Sequence, residues 1–305
     1  MGQARLRLAA LGAMSVLASG IGGTTAWAAP TPPAPDMTES PPSEMTPSEE
    51  MTPSPTATEA DPTTALRQAL TKSAQASSST GKFTFAAGDT SANGTYQYQA
   101  KPSVVFEAKA TDLTLKGKAS SAKPEVIVSG GTAYVNPDGL AQGAQGPPWW
   151  KVALKDLKGP HGQAIAKMFD TATVTNPATI EKVVHAYEDV KMVGTSEVDG
   201  TTVTHYTANY NVDQAKAAFG VASASPMESP GASALGVHEL RSDIWVDEHG
   251  MVRKTRYRNE EGQEPQFTLT STVTEYDKPV SVQPPPADQT KPVTPQMLKQ
   301  FGLGG

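Results

Sequence analysis

Three dipeptides constrain this chain more than any other feature: Asn93-Gly94, Gly130-Gly131 and Asp199-Gly200 each stand between short extended runs rich in β-branched and aromatic residues. Such pairs accept the positive φ angles of two-residue hairpin turns, and a link that short joins only antiparallel neighbours. The runs are KFTF at 82 to 85, TYQYQA at 95 to 100, SVVFEAKA at 103 to 110, LTLKG at 113 to 117, EVIVS at 125 to 129 and TAYVN at 132 to 136. They resume with KMVGTSEVDGTTVTHYTANY at 191 to 210, DIWVDEHGMVRKTRYR at 243 to 258 and EPQFTLTSTVTEYD at 264 to 277. An antiparallel sheet is expected.

Helical signals lie at the start and in the middle. Asp61 is placed as an N-cap before Pro62, and Leu66, Ala69, Leu70 and Ala74 fall along one side of the stretch 62 to 77. After Trp149-Trp150 come GQAIAKMFD at 162 to 170 and NPATIEKVVHAYEDV at 176 to 190, the latter with Asn176 as cap, Pro177 in the first turn, and Ile180, Val183, Val184 and Tyr187 at helical spacing. A short helix at 212 to 220 precedes a Ser/Pro/Gly-rich loop at 222 to 236. The order helix, strands, helices, strands gives an α+β arrangement with helices on one side of the sheet.

In the 243 to 258 hairpin, a type I turn with a glycine bulge at Gly250 pairs Val246 with Val252 and Trp245 with Arg253. One face then carries Ile244, Val246 and Val252 with Lys254 and Arg256, and the other carries Trp245, Met251 and Tyr257 with Asp243 and Arg253. Such mixing suits a curved sheet that leaves part of a surface to a ligand. It equally suits a wide edge where long cationic stems lie over apolar neighbours.

The chain has no cysteine, so disulfides and thiolate chemistry are excluded. Residues 1 to 28 follow the pattern of a secretory signal: Arg5 and Arg7, an apolar stretch from Leu8 to Ile21, and small residues ending at Ala28. That stretch is shorter than the roughly 20 apolar residues that cross a bilayer. Leu17-Ala18-Ser19 before Gly20 looks like a lipoprotein signal in which glycine stands at the cysteine position.

Residues 29 to 61 are rich in Pro, Thr, Ser and Glu and carry seven acids with no Lys or Arg, which is the composition of a disordered tether. Without that segment and the two signal arginines, the net charge of −6 falls to −1 for residues 62 to 305. A nearly neutral domain is not expected to bind nucleic acid. The expected division is signal (1 to 28), tether (29 to 61), one folded domain (62 to 280) and a Pro-rich C-terminal extension (281 to 305).

Catalytic frameworks are not evident. Gly-x-Ser-x-Gly, phosphate-loop and dinucleotide patterns are missing. His238-Glu239 lacks the second histidine of a zinc protease helix, since Ser242 stands there. The five histidines, 161, 185, 205, 238 and 249, are scattered, and the acid pairs Asp247-Glu248 and Glu260-Glu261 fall at expected turns. Asn93-Gly94-Thr95 matches a glycosylation sequon that the hairpin reading explains without sugar. No cofactor, metal or enzymatic reaction is expected.

The strand pattern, with GGTAYVN at 130 to 136, the following WWKV, MVGTSEVDGTTVTHYTANYNVDQA at 192 to 215 and the 243 to 258 hairpin, resembles the LppX/LprG family of actinobacterial envelope lipoproteins, whose fold is similar to the LolA and LolB carriers. The likeness covers most of residues 62 to 280. It implies a strongly curved, half-open antiparallel barrel closed by helices over an apolar cavity, and for several members the binding or transport of lipids. In such a half-barrel alternating residues line the concave side: Phe83, Phe85, Tyr96, Tyr98, Val104, Phe106, Leu113, Leu115, Val126, Val128 and Tyr134. The same alternation fits a filled core. The resulting expectation is a secreted, envelope-associated, monomeric, non-enzymatic protein holding a lipid or other apolar small molecule. The alternative is an interaction or sensor module of the same fold with its cavity collapsed, which meets an envelope partner through a convex face or through Lys254, Arg256 and Arg258.

Overall fold

The computed structural model describes residues 61–138, 147–218, 238–259 and 266–300. The expected signal, the tether before Asp61 and the loop at 222 to 236 lie outside them.

Helix α1 (Pro62–Ala74) comes first, capped as expected: the Asp61 carboxylate accepts from the Thr64 backbone N–H at 2.9 Å. Seven strands follow: β1 (Ser78–Ala87), β2 (Thr90–Gln99), β3 (Val105–Leu115), β4 (Lys118–Ser120), β5 (Glu125–Ser129), β6 (Thr132–Asn136) and β7 (Trp149–Ala153). A 3-10 turn (Leu154–Asp156) leads into α2 (Gly159–Met168), α3 (Thr171–Val174) and α4 (Pro177–His185). Then come β8 (Tyr187–Val198), β9 (Thr201–Asn211), α5 (Val212–Ala218), β10 (Glu239–Asp247), β11 (Val252–Arg258) and β12 (Phe267–Tyr276). The described chain ends with β13 (Thr290–Pro292) and α6 (Pro295–Gln300).

All strands belong to one sheet in the order β13-β7-β6-β5-β3-β2-β1-β12-β11-β10-β9-β8, with β4 paired to β3. Every pairing is antiparallel except β13 on β7. The two ends do not meet, so the curved sheet stays unclosed, and the helices pack on its concave side. The class is the expected one: an α+β antiparallel half-barrel.

Two of the three turn dipeptides do what their chemistry predicts. Gly130 and Gly131 (φ 56° and 70°) join β5 to β6, and Asp199 and Gly200 (φ 47° and 79°) join β8 to β9. Asn93-Gly94 does not turn the chain. The β1–β2 turn is Gly88-Asp89, with Ala87 opposite Thr90, and Gly94 lies inside β2 between Phe83 and Ala110. A Cβ at Gly94 would sit 2.3 Å from both Phe83 Cζ and the Lys109 carbonyl oxygen, so close packing rather than turning requires glycine there. Beside it β3 carries one extra residue, Thr111, because Ala110 pairs with Gly94 and Asp112 with Asn93. That bulge changes the parity of β3, so Phe106, Ala108 and Ala110 share a face with Leu113. The runs at 103 to 110 and 113 to 117, expected as separate strands, form this one bulged strand.

A second bulge corrects the β10–β11 hairpin. Val246 pairs with Val252 as expected, but Trp245 pairs with Lys254, and Arg253 is the additional residue. The faces therefore separate. Leu240, Ser242, Ile244, Val246, Val252, Thr255 and Tyr257 turn inward and are buried, whereas Asp243, Trp245, Lys254, Arg256 and Arg258 share the outer face.

Helix α4 stops at His185, earlier than its apolar spacing predicts, and Tyr187 opens β8 instead. Its wholly buried ring packs against Tyr210 and Tyr257, a tertiary contact that outweighs local periodicity. The segment expected as a C-terminal extension packs on the domain. Val282 is buried with Ile127 and Trp149 on the outer face, and Leu298 packs against the main core.

Candidate functional site

Ten of the eleven residues expected on the concave side belong to β1, β2, β3, β5 or the chain just before β3. Phe83, Phe85, Tyr96, Tyr98, Val104, Phe106, Val126 and Val128 are buried in one apolar cluster with residues of the helices. Leu113 is buried beyond the β3 bulge, and Leu115, at the strand's end, is half-buried. Tyr134 is the exception. Val126 pairs with Val135 and Val128 with Ala133, so Tyr134, opposite Ile127, faces outward. Strand parity was readable in the sequence, but the register of β6 against β5 was not.

Above this face α1 buries Leu66, Ala69, Leu70 and Ser73, and α4 buries Thr179, Ile180, Val183 and Val184. Phe169, between α2 and α3, meets Phe106 with ring centroids 5.6 Å apart, and Phe85 meets Phe267 edge-on at 5.9 Å. The Ser73 hydroxyl donates to the Ala69 carbonyl and accepts from the Val252 backbone N–H, fastening α1 to β11.

The buried titratable groups of the concave sheet face are tyrosines. Burial pushes the Tyr96 phenol up to about 12, opposed by its hydrogen bond with Ser271. Burial, followed by the neighbouring Tyr257, holds Tyr187 well above the ordinary tyrosine value, and the two hydroxyls are hydrogen-bonded to each other. These phenols carry no charge at physiological pH. The surface therefore offers an acyl chain apolar contact and uncharged hydroxyls, among them the buried Ser79 Oγ, which has no hydrogen-bond partner among the described residues.

At the β13 edge the structure has a cleft of about 610 Å³, lined by residues of β6 and β7, the 3-10 turn and the C-terminal segment. Val152, Val293, Pro295 and Leu298 give it apolar walls, and Tyr134, Lys151, Asp156 and Lys158 add polar groups. Sequence reasoning missed this cleft apart from Tyr134. Its second wall comes from residues 292 to 298, whose return to β7 has no local signal.

The cationic strand has a different character from the one expected. Asp243, with its side chain 4% exposed, accepts from Arg256 Nη2 at 3.0 Å and lies 3.0 Å from His205 Nε2, with Arg258 Nη2 at 3.8 Å. His205 stacks on Trp245 with centroids 4.5 Å apart, and Lys254 Nζ lies 4.9 Å over the same indole. Arg256 and Arg258 are thus drawn towards a buried carboxylate, with 32% and 47% of their side chains exposed. Among the described residues no cluster of three or more His, Asp or Glu side chains could hold a metal ion, and no helix is long and apolar enough to cross a membrane.

The chain is, by its architecture, a helix-roofed half-barrel of the α+β class. No protein-family model matches its sequence. Over 169 residues it is 28% identical to an uncharacterised 31.2 kDa protein in the rplA-rplJ intergenic region of Streptomyces griseus, and it spans about half that curated relative's length, 54%. Among solved structures it is similar to LprF from Mycobacterium bovis, at 12% identity over 73% of this chain and 96% of that one, with a TM-score of 0.45. It is also similar to the lipoprotein LppX from Mycobacterium tuberculosis, at 12% identity over 73% of this chain and 98% of that one, with a TM-score of 0.41. These are likenesses of fold alone, and the sequence does not establish membership of the LppX/LprG family.

Proposed function

We propose that this chain is an extracytoplasmic, non-enzymatic binding protein that holds a lipid or other apolar ligand between its half-barrel and the helices roofing it. In this reading Phe83, Phe85, Tyr96, Tyr98, Val104, Phe106, Leu113, Leu115, Val126 and Val128 form the ligand-facing side, Tyr134 stands outside it, and α1 and α4 move to admit an acyl chain. The secretory pattern of residues 1 to 28 supports the location. The observation that carries the reading is the apolar concave face, roofed by helices that are each held through few large side chains.

Magnitudes support exchange between roof and ligand. Exposing Leu66 and Leu70 of α1 costs about 3–6 kcal/mol, and exposing Ile180, Val183 and Val184 of α4 about 5–9 kcal/mol. A 16-carbon chain leaving water gains roughly 12 kcal/mol. Such a ligand offsets the displacement of either helix but not of the whole core.

The test is native mass spectrometry of the delipidated secreted protein mixed with palmitate or phosphatidylglycerol. At least one acyl ligand per chain is expected, with tighter retention in Leu70→Ala, which leaves space under α1. Absence of any adduct with either ligand, in the wild type and in the variant, contradicts the proposal.

A further inference from the structure

We propose a second binding site, separate from the ligand-facing residues of the concave side: the edge cleft takes a small organic anion, an apolar body carrying a carboxylate or phosphate head, with Lys151 as its charge partner. The cleft is about 610 Å³, within the range of about 300–1,000 Å³ typical of small-molecule sites. Val152, Val293, Pro295 and Leu298 border it, with Val152 on the other face of β7 from Tyr134 and Lys151. Two of these, Val152 and Leu298, also pack against the main core, so the wall is fixed by the fold.

The polar groups point to the sign of the ligand. Lys151 is half-buried on β7 opposite Tyr134, and among the described residues it makes no ion pair or side-chain hydrogen bond. A lysine in the cleft wall without a counter-charge leaves its ammonium donors open to a carboxylate or phosphate oxygen. Tyr134 and Thr132 line the same wall, and their hydroxyls can donate to a carboxylate or phosphate oxygen. Lys158 lines the mouth and donates to the Lys155 carbonyl at 3.1 Å, whereas Asp156 is exposed there. Two ammonium groups against one carboxylate give the lining an excess positive charge.

The C-terminal segment completes the site. Pro292 pairs with Lys151 in the parallel β13–β7 ladder, and the Val293 N–H donates to the Lys151 carbonyl at 2.9 Å. The backbone that positions Lys151 is therefore the backbone that brings Val293, Pro295 and Leu298 across from it. A ligand bound there bridges β7 and the end of the chain.

The test is calorimetric titration of the full secreted chain with octanoate, octyl phosphate, octanol and inorganic phosphate, in the wild type and in Lys151→Met. Expected are one Lys151-dependent site for octanoate and octyl phosphate beside any uptake by the concave face, markedly weaker binding of octanol and inorganic phosphate there, and a loss at that site of about 10- to 100-fold for both anions in Lys151→Met with octanol unchanged. Leu298→Ala should weaken both anions, and thermal unfolding of each variant checks that the fold is retained. Unchanged octanoate affinity in Lys151→Met, or octanol binding as tightly as octanoate, overturns the site. Either result leaves the concave-face reading standing, since that reading is tested with long-chain ligands. Inorganic phosphate binding as tightly as octyl phosphate refutes the role of the apolar wall.

Discussion

Replacing Gly94 with alanine isolates the packing logic of the sheet. The new Cβ meets the Phe83 ring at 2.3 Å and the Lys109 carbonyl oxygen at 2.3 Å, both far inside van der Waals contact. Phe83 is 3% exposed and cannot swing into solvent without leaving the core, and the carbonyl belongs to the β2–β3 ladder beside the bulge. Relief requires the strands to part locally. Overpacking costs about 1–3 kcal/mol and a weakened ladder hydrogen bond about 1 kcal/mol more, against a gain of roughly 0.5–1 kcal/mol from the stiffer unfolded chain. The net expectation is a destabilisation of about 2–3 kcal/mol, read as a lower urea midpoint at unchanged slope. Gly131→Ala is the control: nothing lies within 4 Å of its Cβ, and only the positive φ of 70° is strained, which costs about 1–2 kcal/mol. Gly94→Ala and Phe83→Ala combined should not recover wild-type stability, because the Lys109 oxygen remains. A Gly94→Ala loss below about 0.5 kcal/mol refutes the close-approach argument.

Other perturbations reach other parts of the account. Asp243→Ala strands His205 and Arg256, and since Arg256 is 32% exposed and can rehydrate, the expected loss in urea unfolding is about 1–3 kcal/mol; a neutral result contradicts a structural role for the carboxylate. The Tyr96 phenol is raised from 10.0 to about 12, so its stabilising contribution is complete below pH 10 and is lost as pH rises through 12. Tyrosinate absorbance and circular dichroism should therefore show the buried tyrosines ionising together with unfolding, and full ionisation near pH 10 with the fold intact contradicts this. Val282→Ala, which thins the cover over Trp149 and Ile127, should cost about 1–2 kcal/mol and shift tryptophan emission to the red, whereas unchanged emission separates Val282 from that contact.

Much of the fold was legible where local chemistry and tertiary need coincide. Asp61 and Asn176 cap helices, and Gly130-Gly131 and Asp199-Gly200 turn strands, because each solves a backbone problem within a few residues. The failures share a cause. Asn93-Gly94 has a turn's composition, yet its glycine answers to Phe83 and Lys109, which are distant in sequence. Arg253 looks like an ordinary strand residue, and only the pairing of Trp245 with Lys254 reveals the bulge that sorts the hairpin's faces. Tyr134 alternates correctly within its strand, but its face depends on register with β5. The edge cleft was hidden for the same reason: Lys151 and Leu298 are brought together by a proline-rich segment with no periodic signal.

The most direct measurement is a crystal structure of the protein purified from its native host without delipidation. The account requires elongated density between the concave face and α1 or α4, with Leu66, Leu70 or Ile180 displaced to make room. Side chains packed against the helices as they are in this structure, with no elongated density between sheet and helices, would contradict the claim that this fold shelters an acyl chain.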